Sequence, residues 1–142
     1  MKLLMLAIGV ISAVPWTRAA MSEAQMKAAL KLVRNTCQPK SKATSEQIEA
    51  MKQGDWNQDR NGQCYLNCIL TMYKLQKKDN TFDWESGLKV LENQAPPSIA
   101  TTAIASVLNC KESVKTIDDK CAAAYEIAHC IYDDNPEKYF LP

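Results

Sequence analysis

The sequence predicts an all-α protein, a compact six-helix domain stapled by disulfides. Three observations predict it. Apolar residues recur at helical spacing from Ser22 to Tyr132, and no stretch alternates as a half-buried strand would. Glycine and proline are few, 4 and 6 among 142 residues, and no segment repeats. The chain carries 6 cysteines behind an apolar leader, the usage of an oxidising compartment.

The expected helices follow in order. Helix one covers about 22–35, opened by the capping box Ser22-Glu23-Ala24-Gln25, with Met26, Leu30 and Val33 as its apolar stripe and Pro39 beyond its end. Helix two covers about 45–53, started by Thr44 to Gln47 and closed by Gly54. A polar loop, 55–62, precedes helix three at about 63–76, which is apolar almost all round and therefore central. Helix four covers about 83–92 with Asp83 as N-cap. After Pro96-Pro97, helix five covers about 98–109, although its Thr, Ile and Val residues are weak helix formers. Helix six covers about 117–132, with Asp118 and Asp119 favourable in its first turn and Pro136 beyond it.

Residues 1–19 read as a secretory signal peptide: Lys2, an apolar run from Leu3 to Val14, Pro15, then Ala19 and Ala20. That run is shorter than the roughly 20 residues that span a bilayer. A cut after Ala19 leaves residues 20–142 as the folded domain and a secreted, extracellular location. Loss of Lys2 and Arg18 from the 17 basic residues leaves 15 against 16 acidic ones. So balanced a charge excludes an electrostatic footprint for nucleic acid or for an anionic membrane. No stable membrane insertion is expected.

Catalysis and metal binding find no support. Asp55 to Leu66 resembles a calcium loop, but Arg60 stands where glycine is needed and Leu66 where glutamate is needed. Cys121, His129 and Cys130 could ligate zinc, yet a secreted chain spends cysteines on disulfides. His129 is the only histidine and has no nucleophile motif to serve, so no enzyme, cofactor or metal is expected. Histidine titrates in the range of an acid-triggered release, but a structural or exposed role is the simpler reading of His129.

Cys64 and Cys68 lie one turn apart in helix three. Their Cβ atoms would be about 5–6 Å apart, whereas a disulfide needs about 3.8 Å. Cys121 and Cys130, on helix six, would face opposite ways and lie roughly 13 Å apart along the axis. Excluding both pairs reduces the roughly 15 arrangements of six cysteines to about 10. Geometry alone leaves those open.

The spacing, C-x26-C-x3-C-x41-C-x10-C-x8-C, resembles the insect odorant-binding protein family of pheromone-binding and general odorant-binding proteins. The x3 and x8 gaps match that family's signature. Gly54-Asp55-Trp56 and the ending Tyr139-Phe140-Leu141-Pro142 are also similar to its members. The resemblance implies the pairs Cys37–Cys68, Cys64–Cys121 and Cys110–Cys130. It also implies that the domain encloses an apolar pocket, and that the protein is a secreted carrier that holds a small hydrophobic odorant or pheromone there and takes it through aqueous fluid to olfactory receptors.

The expected pocket wall draws Val33 from helix one, and Leu70 and Leu75 from helix three and its end. Phe82, Trp84, Leu88 and Leu91 come from around helix four, and Ile104 and Val107 from helix five. Ala124, Ile127 and Ile131 come from helix six. Each of these side chains could equally be ordinary core. Thr71, Thr101, Thr102, Tyr125 and Tyr139 are candidate hydrogen-bond donors to a ligand with at most one polar group. The tail after Cys130 is too short for an added helix in the pocket. It is expected to fold over as a lid, with Tyr139, Phe140 and Leu141 at the ligand. The rival readings are a carrier of the same fold in saliva or reproductive fluid, or a helical secreted signalling protein without a working cavity. A homodimer is compatible with any of them.

Overall fold

In the computed structural model, residues 19–142 are described. All but the last residue of the expected signal peptide therefore lies outside the described residues. Helix α1 (Glu23–Ser41) begins at the expected capping box: Ser22 Oγ accepts from the Gln25 amide, and the Gln25 side chain accepts from the Ser22 amide. It runs six residues past the expected end, through Pro39. Proline removes the hydrogen bond to the Asn35 carbonyl, but Asn35 is exposed, so water can satisfy that group. Helix α2 (Ser45–Lys52) has its own capping box from Thr44 and Gln47. Gly54, with φ of 90°, turns the chain out of it where the Tyr132 ring leaves no room for a Cβ.

Helix α3 (Arg60–Met72) starts and ends earlier than its apolar run suggests. Asp59, from the loop that resembled a calcium site, caps it by accepting from the amides of Asn61 and Gly62 at 2.9 and 3.1 Å. At its other end Lys74 takes a left-handed conformation and the Leu75 amide returns to the Leu70 carbonyl at 2.8 Å. Gln76 then pairs with Phe82 as an isolated bridge, which makes a short return into helix α4 (Trp84–Gln94), capped by Asp83 as expected. Helix α5 (Pro97–Asn109) opens on a proline in its first turn, where no N–H is missed. Helix α6 (Lys120–Asp134) starts later than expected because Asp119 accepts from the amides of Cys121 and Ala122. A 3₁₀ turn, Pro136–Lys138, leads into the tail.

Helix α3 lies between α1 and α6, and α4 packs on α5. Tyr65, Leu66 and Ile69 of α3 join Val33, Ile48, Met51, Trp56 and Ile127 in one core cluster. Three disulfides fix this arrangement: Cys37–Cys68 joins α1 to α3, Cys64–Cys121 joins α3 to α6, and Cys110–Cys130 joins the end of α5 to α6. Their Cα–Cα distances are 5.5, 4.6 and 5.8 Å. The pairs are those the family resemblance implied, and neither excluded pair forms. They close loops of 31, 57 and 20 residues. Each contributes on the order of 3–4 kcal/mol on the chain-entropy account.

Removing one staple tests its structural role. The double variant Cys64→Ser/Cys121→Ser is expected to lose about 3–4 kcal/mol in a guanidinium melt. It is also expected to bind an apolar probe more weakly at temperatures where it is still folded; unchanged affinity would mean that this staple does not hold the interior open. A second test uses Asp134, which accepts from Ser106 Oγ at 2.6 Å and Asn109 Nδ2 at 2.8 Å. These bonds hold its carboxyl below the usual range. A depressed folded-state pKa gives stability that is present at neutral pH and is lost as pH falls through that pKa. The wild type should therefore exceed Asp134→Asn in urea midpoint at pH 7, and the gap should close below about pH 4.

Candidate functional site

The three staples leave a gap on the side of the fold where α1, α4, α5 and the tail meet. It is a cavity of about 270 Å³. Ligand pockets usually run from about 300 to 1,000 Å³, so this one suits a small guest. Each helix contributes one face. Helix α1 supplies Met26, Ala29 and Leu30, with Met21 just before it; α3 supplies Leu66, Ile69, Leu70 and Tyr73. Helix α4 supplies Gly87, Val90, Leu91 and Gln94, an i, i+3, i+4, i+7 stripe. Helix α5 supplies Thr102, Ala103, Ser106 and Val107; α6 supplies Ala128, Ile131 and, at its end, Asn135. The wall is almost wholly hydrocarbon.

The tail closes it. Leu141 is 8% exposed and Pro142 is buried, and both line the cavity with Lys138, Tyr139 and Phe140. The Tyr65 hydroxyl donates to the Pro142 carbonyl at 2.7 Å, which ties the tail to the middle of α3. Burial pushes the Tyr65 phenol up to about 12, so this bond keeps its proton throughout the physiological range. Tyr139 is gripped from behind: its ring meets Trp56 at 5.9 Å and Tyr132 at 5.4 Å, both edge to face. Phe140 faces partly outward, at 38% exposed, and Lys138 is exposed as well. Together with Met26, Lys138 and Tyr139, Phe140 separates the cavity from a shallow outer groove along the starts of α1 and α5. Ser98 Oγ bonds Glu23 Oε1 at 2.8 Å across that groove, and the Met21 amide bonds the Gln94 carbonyl at 3.0 Å.

Of the expected wall residues, Leu70, Leu75, Leu91, Val107 and Ile131 line the cavity, as do Tyr139, Phe140 and Leu141. Seven others do not. Val33 and Ala124 share the cavity-facing side of their helices but sit a turn too far toward the Cys37 and Cys121 staples, where the helices close on α3. Ile127 is fully buried in the core instead. Phe82 is core at 3% exposed, in the return between α3 and α4. Trp84 and Leu88 pack against the core instead: Trp84 shares the face of Leu91 but lies two turns nearer the start of α4, and Leu88 flanks the stripe that starts at Gly87. Ile104 is turned about the α5 axis away from the face of Ala103 and Ser106. Met26 and Leu30 stood in the apolar stripe of α1, but nothing in a period tells which part of a stripe overhangs a void.

The candidate donors divide as well. Thr102 and Tyr139 reach the cavity. Thr71 and Thr101 are exposed, and the Tyr125 hydroxyl is occupied by the Trp56 carbonyl at 2.7 Å. His129 lies outside the wall: its ring stacks on Trp56 at 4.8 Å and its Nε2 is 3.5 Å from Asp133 Oδ2. Cys121 and Cys130 are held in disulfides with different partners, so they cannot join His129 on zinc.

A disulfide-stapled helical shell with an apolar interior is what the cysteine spacing implied, and comparison with known proteins decides the family. Residues 19–134 match the sequence profile of the PBP/GOBP family. The chain belongs to this family. Among PBP/GOBP relatives, it is 31% identical over 121 residues to general odorant-binding protein 19a of Drosophila melanogaster, covering 83% of this chain and 82% of that one. It is 26% identical over 121 residues to general odorant-binding protein 72 of Anopheles gambiae, covering 85% and 99%. Its fold is similar to the crystal structure of odorant binding protein 4 of Chrysopa pallens, with a TM-score of 0.78 and 36% identity over 86% of this chain and 99% of that one. Odorant binding protein 5 of Apis mellifera gives a TM-score of 0.79 and 32% identity over 87% and 100%.

Filling the void and emptying the core should have opposite signatures. Ala103→Phe places a ring into the cavity of this PBP/GOBP fold. It is expected to weaken probe binding at least about tenfold, with the melting temperature nearly unchanged, because open space takes the added volume. Ile127→Ala is expected to cost about 2–5 kcal/mol of stability in a denaturant melt while the folded protein still binds the probe.

Proposed function

We propose that the protein is a secreted carrier that encloses one small hydrophobic odorant or pheromone in the interior cavity and takes it through aqueous fluid to an olfactory receptor. The single observation that carries this reading is the apolar cavity under a docked tail. An aqueous cavity would need polar walls, and a core without a function would have collapsed around smaller voids. Membership of the PBP/GOBP family and the odorant-binding names of the relatives supply the class of guest. Among the described residues no helix is long and apolar enough to cross a membrane, in keeping with a carrier that moves with its fluid. The residues proposed to touch the guest are those of the wall, with Leu70, Val107, Ile131 and Leu141 contributed by four different elements. Residues 1–19 are proposed as the signal that sends the chain out of the cell, and 20–142 as the domain that works there. No step of this function requires catalysis.

The tail is proposed to control exchange. It occupies the cavity wall and is fastened by the Tyr65–Pro142 bond, so a guest leaves only when that segment lifts. Titration with a fluorescent apolar dye should give displaceable binding close to one dye per chain; dye that binds only weakly or at several unspecific sites would favour a signalling protein instead. Deletion of residues 138–142 should speed dissociation of the dye in stopped flow, and an unchanged off-rate would rule out the lid.

A further inference from the structure

The cavity is apolar, but not uniformly so, and its polar groups can be taken one by one. Ser106 donates to Asp134, and the Asn135 side chain accepts from the Lys138 amide at 3.1 Å. Gln94 is exposed, and its carbonyl takes the Met21 amide. Three hydroxyls of the wall, those of Tyr73, Thr102 and Tyr139, have no hydrogen-bond partner among the described residues. They are not equivalent. Tyr73 is half-buried and can meet water at the end of α3. Thr102 sits in a helix, where a threonine hydroxyl can turn back to the carbonyl four residues earlier. Tyr139 is half-buried as well, in the wall between the cavity and the outer groove, but it lies beyond the helices and has no carbonyl of its own helix to turn back to. Its ring is fixed edge to face against Trp56 and Tyr132, and the nearby Pro142 carbonyl is already taken by Tyr65.

We propose that the Tyr139 hydroxyl is the polar anchor of the cavity, and that it selects neutral, elongated hydrocarbons bearing one hydrogen-bond-accepting oxygen, such as an alcohol, ketone or ester. This rests on the carrier reading and names the chemistry of its guest. Burial, with Tyr65 close by, drives the Tyr139 phenol far above its usual range, so the group is a neutral donor at every pH the protein would meet. A buried hydroxyl without a partner is unfavourable, and a guest oxygen that accepts its proton removes that penalty; a plain hydrocarbon does not. The same reasoning disfavours ionised guests. Lys138, at the mouth, is the one cationic residue of the wall, and a carboxylate farther in would lose its water without gaining a counter-charge.

The test compares each displacer with itself across two proteins, so that its own hydrophobicity cancels. Decanol and decane are used to displace N-phenylnaphthylamine from wild type and from Tyr139→Phe. Decanol is expected to weaken about tenfold in the variant, while decane stays unchanged or binds slightly better. Equal effects on both displacers, or none on decanol, would overturn the anchor while the carrier stands. A wild type that does not bind the dye at all would overturn the carrier reading and the anchor with it. Infrared spectra of decanone bound to the wild type give a readout that needs no variant. Its carbonyl stretch should shift to lower frequency than in a hydrocarbon solvent, and an unshifted band would overturn the proposal.

Discussion

The structure depends on one constraint in helix α3: Cys64 and Cys68 stand one turn apart and cannot bond each other. Each must reach outward, to Cys121 on α6 and to Cys37 on α1. A single helix is thereby fixed on two sides. What lies close to those two bonds is packed shut, as the full burial of Cys37, Ile127 and Tyr65 shows. What lies beyond them, toward the first turns of α1 and the last turns of α6, is spread apart. The cavity occupies that spread end. Its closing element is again tied to α3, since Tyr65 between the two cysteines holds the carbonyl of Pro142.

Hydrophobic burial alone would not give this shape. A chain this apolar gains by bringing α1, α4, α5 and α6 together over the void, because each exposed Å² of hydrocarbon costs about 25 cal/mol. Covalent links between α1 and α3, α3 and α6, and α5 and α6 set the separations at which those helices can meet. Gly87 marks how close the packing already is on the α4 side: a Cβ there would come within 3.3 Å of Leu75 and 3.6 Å of Val107. The stapled frame and the empty interior are thus two aspects of one arrangement.

Much of the fold was legible in the sequence. The six helices, the caps at Ser22, Thr44 and Asp83, and the central place of α3 follow from local chemistry, because a capping side chain and a helical period are readable without knowing the neighbours. The ends were less legible. Pro39 suggests an earlier end to α1 than the helix has, because its lost bond falls on an exposed carbonyl, and Asp59, in a polar stretch that looks like loop, caps α3. The site was legible by face but not by height. Val33 and Leu30 lie on the same stripe, as do Ala124 and Ala128, and only their height relative to the staples brings Leu30 and Ala128, but not Val33 and Ala124, to the void. Gly87 carried no apolar signal at all, yet its stripe is the one that α4 turns inward. The tail was legible because apolar residues near an end have to dock on something.

The central claim is that the guest occupies the interior under the tail. A crystal structure of the protein with bound decanol tests it most directly. The expected result is one molecule of decanol inside, with its chain along Leu70, Val107 and Ile131, its oxygen near Tyr139, and residues 139–142 closed over it. Decanol found only in the outer groove or between two copies of the chain, with side chains filling the interior, would contradict it.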